Sequence, residues 1–224
     1  SRFLDPTCGS GTFCIEAAMI GMNIAPGFNR DFAFEAWNWV DKDLVQSVRD
    51  EADSKANYDV ELDIMGCDID GRMVEIAKAN AREAGLEDVI KLKQMRLQDL
   101  KTDKINGVII SNPPYGERLG EKASNRALYL GLSALLQKHF PNQTAAVIAS
   151  QIEQADVLAF NDPQTLRLMN GKLPIYVRFG TIKPATVTQP FLATWQPQQF
   201  EKIEGAEDFT NRLQKNMQAL KKWA

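Results

Sequence analysis

Asn112, Pro113, Pro114 and Tyr115 stand in a row at the end of the short apolar run "INGVII" (105–110), with Ser111 between. These residue types suit one kind of chemistry. The two prolines hold the backbone rigid and donate no N–H, so the carbonyls around them remain as acceptors. The Asn112 amide oxygen and the Pro113 carbonyl can together accept both protons of a planar amino group. Tyr115 can stack on the flat ring that carries that group. Two acceptors on an NH2 draw the nitrogen lone pair out of conjugation, which improves a poor nucleophile without a strong base. A merely rigid turn would use the prolines but needs neither the Asn nor the Tyr.

Three further strand ends carry polar groups. In "DPTCGSGT" (5–12) a strand closes at Asp5, a turn with Gly9 and Gly11 follows, and a helix starts near Ser10. Glycines let backbone approach a ligand closely, and a helix N-terminus offers free N–H groups to an anion. The spacing is not that of the dinucleotide fingerprint, and a plain tight turn is the alternative. In "GCDID" (66–70), Asp68 has the place of the acid that accepts from ribose hydroxyls in nucleotide sites. It can equally cap the following helix, a role that suits Asp70. In "RLQDL" (96–100), Asp99 can accept from an adenine amine or cap a turn.

The elements that must position these groups alternate. Apolar runs at 2–5, 63–70, 89–97, 105–110 and 144–150 alternate with helical spacing at 10–23, 71–86 and 125–140, the last two stopped by Gly85 and Pro141. Residues 42–56 read as a solvated amphipathic helix. Such alternation predicts crossover helices over a mostly parallel sheet, with ligands outside the carboxyl ends of its strands. Near the end, "TLRLMNGKLPIYVRFGTI" reads as a hairpin around "NGK". A terminal helix is expected over 209–224, with Arg212, Lys215, Lys221 and Lys222.

The chain has 224 residues, 44% hydrophobic and 25% charged, enough for one large domain. No apolar run is long enough to span a membrane. One histidine and three cysteines without ligand spacing predict no metal site and a reduced, cytoplasmic protein. A net charge of −3 is unusual for a protein that grips nucleic acid unaided. "SRFLDP" opens inside a strand with no preceding turn or cap, so an N-terminal portion is expected to be missing.

The order of a glycine turn, an acid after the second strand, an acid after the third and Asn-Pro-Pro-Tyr after the fourth resembles the amino-methylating class I S-adenosylmethionine-dependent methyltransferases. More closely, "DPTCGSGTFCIEAA", "IAPGFNRDFAFEAW", "SNPPYGERLG", "NGKLPIYVRFG" and "FTNRLQKNMQALKKWA" together resemble the bacterial 23S ribosomal RNA guanine-N2 methyltransferases over nearly the whole chain. The resemblance implies a Rossmann-like, mostly parallel seven-stranded sheet with an antiparallel C-terminal hairpin strand and helices on both faces. It implies S-adenosylmethionine as cofactor, with Asp5, Pro6, Thr7, Cys8, Gly9, Ser10, Gly11 and Thr12 around its methionine part. Asp68 with Ile69 would meet the ribose, Gln98 with Asp99 the adenine, and Asn112 would border the cofactor as well as the target. Asn112, Pro113, Pro114 and Tyr115 would receive the target amine. The partner implied is 23S rRNA, with an N-terminal RNA-binding THUMP domain assisting the grip. The expected division is a catalytic domain over 1–195, N-terminally truncated, and a C-terminal helical extension over 196–224.

Other residues are candidates for the substrate. Phe28 and Arg30, in the aromatic stretch 24–40, can stack on and hold unpaired RNA, or the aromatics can pack the loop onto the domain. Glu117 can accept from a guanine N1–H and Arg118 can bind its O6 or a phosphate, unless the two form an ion pair that pins the loop. The amine motif also serves adenine-N6 methylation of DNA or RNA and methylation of a protein glutamine amide. A non-catalytic cofactor- and RNA-binding ribosome-assembly factor is a further alternative.

Overall fold

In the computed structural model, residues 2–100, 107–114 and 121–185 are described. Seven strands form one sheet: β1 (Arg2–Asp5), β2 (Asp63–Asp68), β3 (Ile90–Gln94), β4 (Gly107–Ser111), β5 (Thr144–Ala149), β6 (Phe160–Asn170) and β7 (Leu173–Ile182). Their order is β3-β2-β1-β4-β5-β7-β6. The first five strands run parallel, and β7 pairs antiparallel with both β5 and β6. The expected fold class is the one found.

Among the described residues five α-helices connect the strands: α1 (Thr12–Gly21), α2 (Lys42–Ser54), α3 (Gly71–Glu83), α4 (Glu121–His139) and α5 (Ile152–Ala155). Strand alternation sends neighbouring side chains to opposite faces. Leu4, Met65, Ile109, Ala145 and Val147 face one layer, where Tyr129, Leu132 and Leu136 of α4 pack on them. Phe3 and Ile64 face the other, against Cys14 and Ala18 of α1 and Ala81 of α3. The sheet is thus covered on both faces, which is why its parallel strands read as continuous apolar runs rather than alternating ones.

Helix ends follow the local chemistry. Asp70 caps α3 by accepting from the Arg72 N–H at 2.9 Å, and the helix ends before Gly85. Asp41 caps α2 in the same way. No residue of α2 is buried, as its solvated pattern predicted. Some boundaries differ from the sequence reading. β3 ends at Gln94, because Leu97–Asp99 turns into a 3-10 helix. The helix α4 begins at Glu121 rather than 125. The hairpin is longer than its apolar pattern, since β6 starts at Phe160 and accommodates Pro163 beside a register shift on the sheet's outer edge. Among the described residues no helix is long and apolar enough to cross a membrane. The extension over 196–224 lies outside the described residues.

Candidate active site

The chain winds from β1 outward to β2 and β3, then returns to β4 on the other side of β1. This reversal leaves a crevice outside the carboxyl ends of β1 and β4, the place where open α/β sheets bind ligands. Asp5 ends one of these strands and Ser111 the other. A hydrogen bond of 2.8 Å between the Thr7 and Ser111 hydroxyls joins the two loops directly.

The turn after β1 is built around backbone. Gly9 has φ 52° and Gly11 φ 85°, both in the left-handed region. A Cβ on Gly9 would meet nothing within 4 Å, so its backbone faces open space. A Cβ on Gly11 would lie 3.0 Å from the Ala77 Cβ of α3, so that glycine is needed for packing as well. Gly11 is also the N-cap of α1, and no side chain caps it among the described residues. The first-turn N–H groups of α1 are therefore left for water or a ligand. The turn is held in place by its neighbours: the Cys8 N–H donates to the Cys67 carbonyl at 2.8 Å, and Asn80 of α3 donates to the Ser10 carbonyl at 2.9 Å. Thr12, expected beside the cofactor, is exposed at the start of α1, and Pro6 is buried beneath the turn.

Two carboxylates flank this turn. Asp5 is 1% exposed, and burial pushes its carboxyl up to about 7, against the Thr7 N–H it accepts. The nearby Asp68 carboxylate adds to that rise. Asp68 accepts from the Gly9 N–H at 3.0 Å and from the Asp70 N–H at 2.9 Å. One carboxylate so fixes both the glycine turn and the entry to α3. The expectation that Asp68 either meets a ribose or caps a helix is thereby refined. Asp70 makes the cap, and Asp68 stays half-buried at the crevice with one oxygen on the glycine turn. Beside it Ile69 is 68% exposed, an apolar side chain presented to the crevice edge, and Gln94 holds the Ile69 carbonyl at 3.1 Å. Gln98 and Asp99 sit exposed on the 3-10 turn that follows β3.

The three thiols near the turn are buried and unbridged. Burial pushes Cys8 up to about 12 and Cys67 up to about 11, and raises Cys14 as well. None is a thiolate at neutral pH, so none is an activated nucleophile.

After β4, Ser111 is fully buried, Asn112 exposed, Pro113 buried and Pro114 exposed. The buried proline anchors the loop, and its exposed neighbours present one amide side chain at the strand end. Tyr115, Glu117 and Arg118 lie outside the described residues. Phe28 and Arg30 are held against α2. Their carbonyls accept from the Arg49 guanidinium of α2 at 3.4 and 3.0 Å, and Arg30 lies over the Phe32 ring at 4.8 Å. This segment and α2 enclose an apolar groove of about 670 Å3 lined by Phe28, Phe34, Trp37, Leu44 and Val48. Phe28 and Arg30 also line a second groove of about 670 Å3 with Thr12 and Asn80 beside the start of α1, so the contacts fit both the packing and the substrate alternatives.

Sequence reasoning missed Ser111, Asn80 and Gln94, which position the site without facing it. Only Ser111 carried a signal, its place immediately before Asn112.

Comparisons with known proteins agree with this geometry. Residues 1–177 match the RMKL-like methyltransferase domain. The chain is 56% identical, over 230 aligned residues, to the ribosomal RNA large subunit methyltransferase K/L of Acinetobacter baumannii (strain AYE), covering 99% of this chain and 31% of that protein. It therefore spans about a third of that relative's length. Among solved structures, SMU.472, described as a methyltransferase and complexed with SAH, is 53% identical with a TM-score of 0.75, over 83% of this chain and 49% of that one. A predicted N6-adenine-specific DNA methylase from Listeria monocytogenes is 41% identical with a TM-score of 0.70, over 80% of this chain and 46% of that one. With most of its length matched by that family and its fold shared with these structures, the chain belongs to the RMKL-like methyltransferase domain family.

Proposed function

We propose that this domain transfers a methyl group from S-adenosylmethionine to the exocyclic amine of an RNA base, guanine N2 in the 23S rRNA of the large ribosomal subunit, and works in the cytoplasm. One observation carries the reading: the Thr7–Ser111 hydrogen bond sets the glycine turn and the Asn112–Pro114 acceptors side by side at the strand switch point.

The residues present suit that cofactor. Gly9 leaves open space over its backbone, the start of α1 has free N–H groups, and Asp68 offers a carboxylate beside exposed Ile69. Such a set fits an amino-acid carboxylate, a ribose and the face of a purine, with Asp99 or Gln98 for the purine's polar edge. When bound, S-adenosylmethionine supplies an electrophilic methyl on a sulfonium. Asn112 and the Pro113 carbonyl hold the two amine protons and aim the nitrogen lone pair. Tyr115 stacks on the base, and Glu117 and Arg118 read its remaining edge. Neither the thiols nor a strong base is needed, so positioning and exclusion of water supply most of the rate. The base must leave its stack to reach Asn112.

The Listeria relative's name favours adenine N6 as the second reading. Incubation with labelled S-adenosylmethionine and undermethylated rRNA, followed by nucleoside analysis, separates the two. N2-methylguanosine is the expected product, and N6-methyladenosine would replace the guanine assignment. No labelled nucleoside from rRNA would defeat the RNA reading, and label in duplex DNA instead would support adenine N6 there.

A further inference from the structure

The β6–β7 hairpin belongs to neither loop of the crevice, yet it reaches the same edge of the sheet. β7 pairs with β5 from Thr144↔Thr181 to Ala149↔Tyr176, and β5 ends at Ala149. Leu173–Ile175, their partners Leu168–Asn170 and the Gly171–Lys172 turn therefore run past the carboxyl edge that carries Asn112. The register ties the hairpin to the site. Ser111, Val147, Arg178 and Thr165 form one row across four strands. The next row on the same face holds Ala149, Tyr176 and Arg167. Arg167 thus stands one row beyond Ser111 and three strand spacings aside, about 14 Å at ~4.8 Å per strand.

The charge of this element runs against the rest of the chain. From Phe160 to Ile182 there are three cations, Arg167, Lys172 and Arg178, and one acid, Asp162, at the end of the hairpin away from the overhang, in a protein of net charge −3. Arg178 is engaged by the Asp156 carboxylate at 3.1 Å and donates to the Thr165 hydroxyl. Arg167 and Lys172 are exposed and have no acidic partner among the described residues. Both lie at or beyond the last row paired to β5. A sheet edge that presents an amine-accepting loop flanked by an overhanging cationic hairpin is suited to a base whose phosphates must be held while it is out of its stack.

We propose that the overhanging β6–β7 hairpin grips the RNA backbone beside the target nucleotide, with Arg167 and Lys172 on phosphates. This rests on the RNA-methylation reading and adds to it a binding element in this domain itself. The test uses the full chain, its Arg167→Ala/Lys172→Ala variant and an unmodified large-subunit rRNA transcript. Both methyl transfer and direct binding of that transcript are measured between 50 and 200 mM salt, and thermal melting checks the fold. The expected result is about a tenfold rise in RNA KM and Kd, with kcat and cofactor affinity unchanged. The slope of log affinity on log salt should fall by about 1–2, and Arg167→Lys/Lys172→Arg should restore it. Unchanged RNA affinity and salt slope in the alanine variant overturn the proposal, as does failure of the parent chain to bind the transcript. A parent that binds with the expected slope difference but transfers no methyl keeps the arm and removes the methylation reading.

Discussion

The two loops that meet at the switch point are opposites in chemistry. The turn after β1 has glycines at positive φ whose N–H groups are taken by the Asp68 carboxylate and the Cys8 carbonyl. The helix it opens has no side-chain cap, so the first-turn N–H groups of that helix are the donors left for a ligand. The turn after β4 uses Pro113 and Pro114, which have no N–H, so at those two positions the backbone offers acceptors only. A ligand with acceptor groups suits the first and one with an NH2 suits the second. Parallel pairing of β1 and β4 puts both at one edge, and the Thr7–Ser111 bond joins them. Donor and acceptor character are thus set by local backbone, and their joint use by strand order.

That contrast can be broken loop by loop. The largest effect is expected from Asn112→Ala, which removes the acceptor proposed for the target amine. Methyl transfer should fall about 10²–10³-fold, as for loss of one preorganised transition-state hydrogen bond. Cofactor binding by calorimetry should fall far less than transfer, and a variant that kept full transfer would refute the role of this loop.

The donor loop should fail differently. Gly11→Val forces a side chain into positive φ and against the Ala77 Cβ at 3.0 Å. Strain and overpacking together should cost about 2–3 kcal/mol in urea unfolding, with cofactor affinity lost in parallel.

Next comes the pH dependence from Asp5. Its folded value of about 7 lies above the ordinary 3.8, so the folded state keeps a proton that the unfolded state has released. Its contribution is fully present below pH 3.8 and is lost as pH rises through about 7. Within that window stability should decline by up to about 1.4 kcal/mol per pH unit relative to the Asp5→Asn variant, read as the difference between their unfolding profiles. A parallel pair of profiles would show that Asp5 ionises normally. A cationic cofactor nearby should pull the value down, so its binding should tighten as pH approaches 7 in the parent but not in the variant.

The smallest effect tests the joint itself. Thr7→Val leaves the buried Ser111 hydroxyl without its partner and should cost about 1 kcal/mol of stability. Thr7→Val/Ser111→Ala should cost less than the sum of the two single changes, because no orphaned hydroxyl remains. Additive costs in that cycle would mean that the two loops are held independently.

The amino-acid order by itself determined the alternation of buried runs and helices, and hence a mostly parallel sheet. It also determined which polar residues stand at or just after strand ends, Asp5, Asp68 and Asn112, whereas Asp99 came to lie on the 3-10 turn beyond β3. Strand burial and helix caps are short-range consequences of period and residue type, so they are legible locally. The boundaries of β3 and β6 were not, since Leu97–Asp99 trades strand for a turn and β6 gains residues by pairing with β7. Only the tertiary structure decided that Asp68 bonds Gly9 across 59 positions and that Thr7 bonds Ser111 across 104. It also placed the hairpin's Arg167 one row beyond Ser111 and held Phe28 and Arg30 against α2. Those facts depend on strand order and register, which come from packing two faces of the whole sheet at once. No window of sequence contains both partners of such a contact.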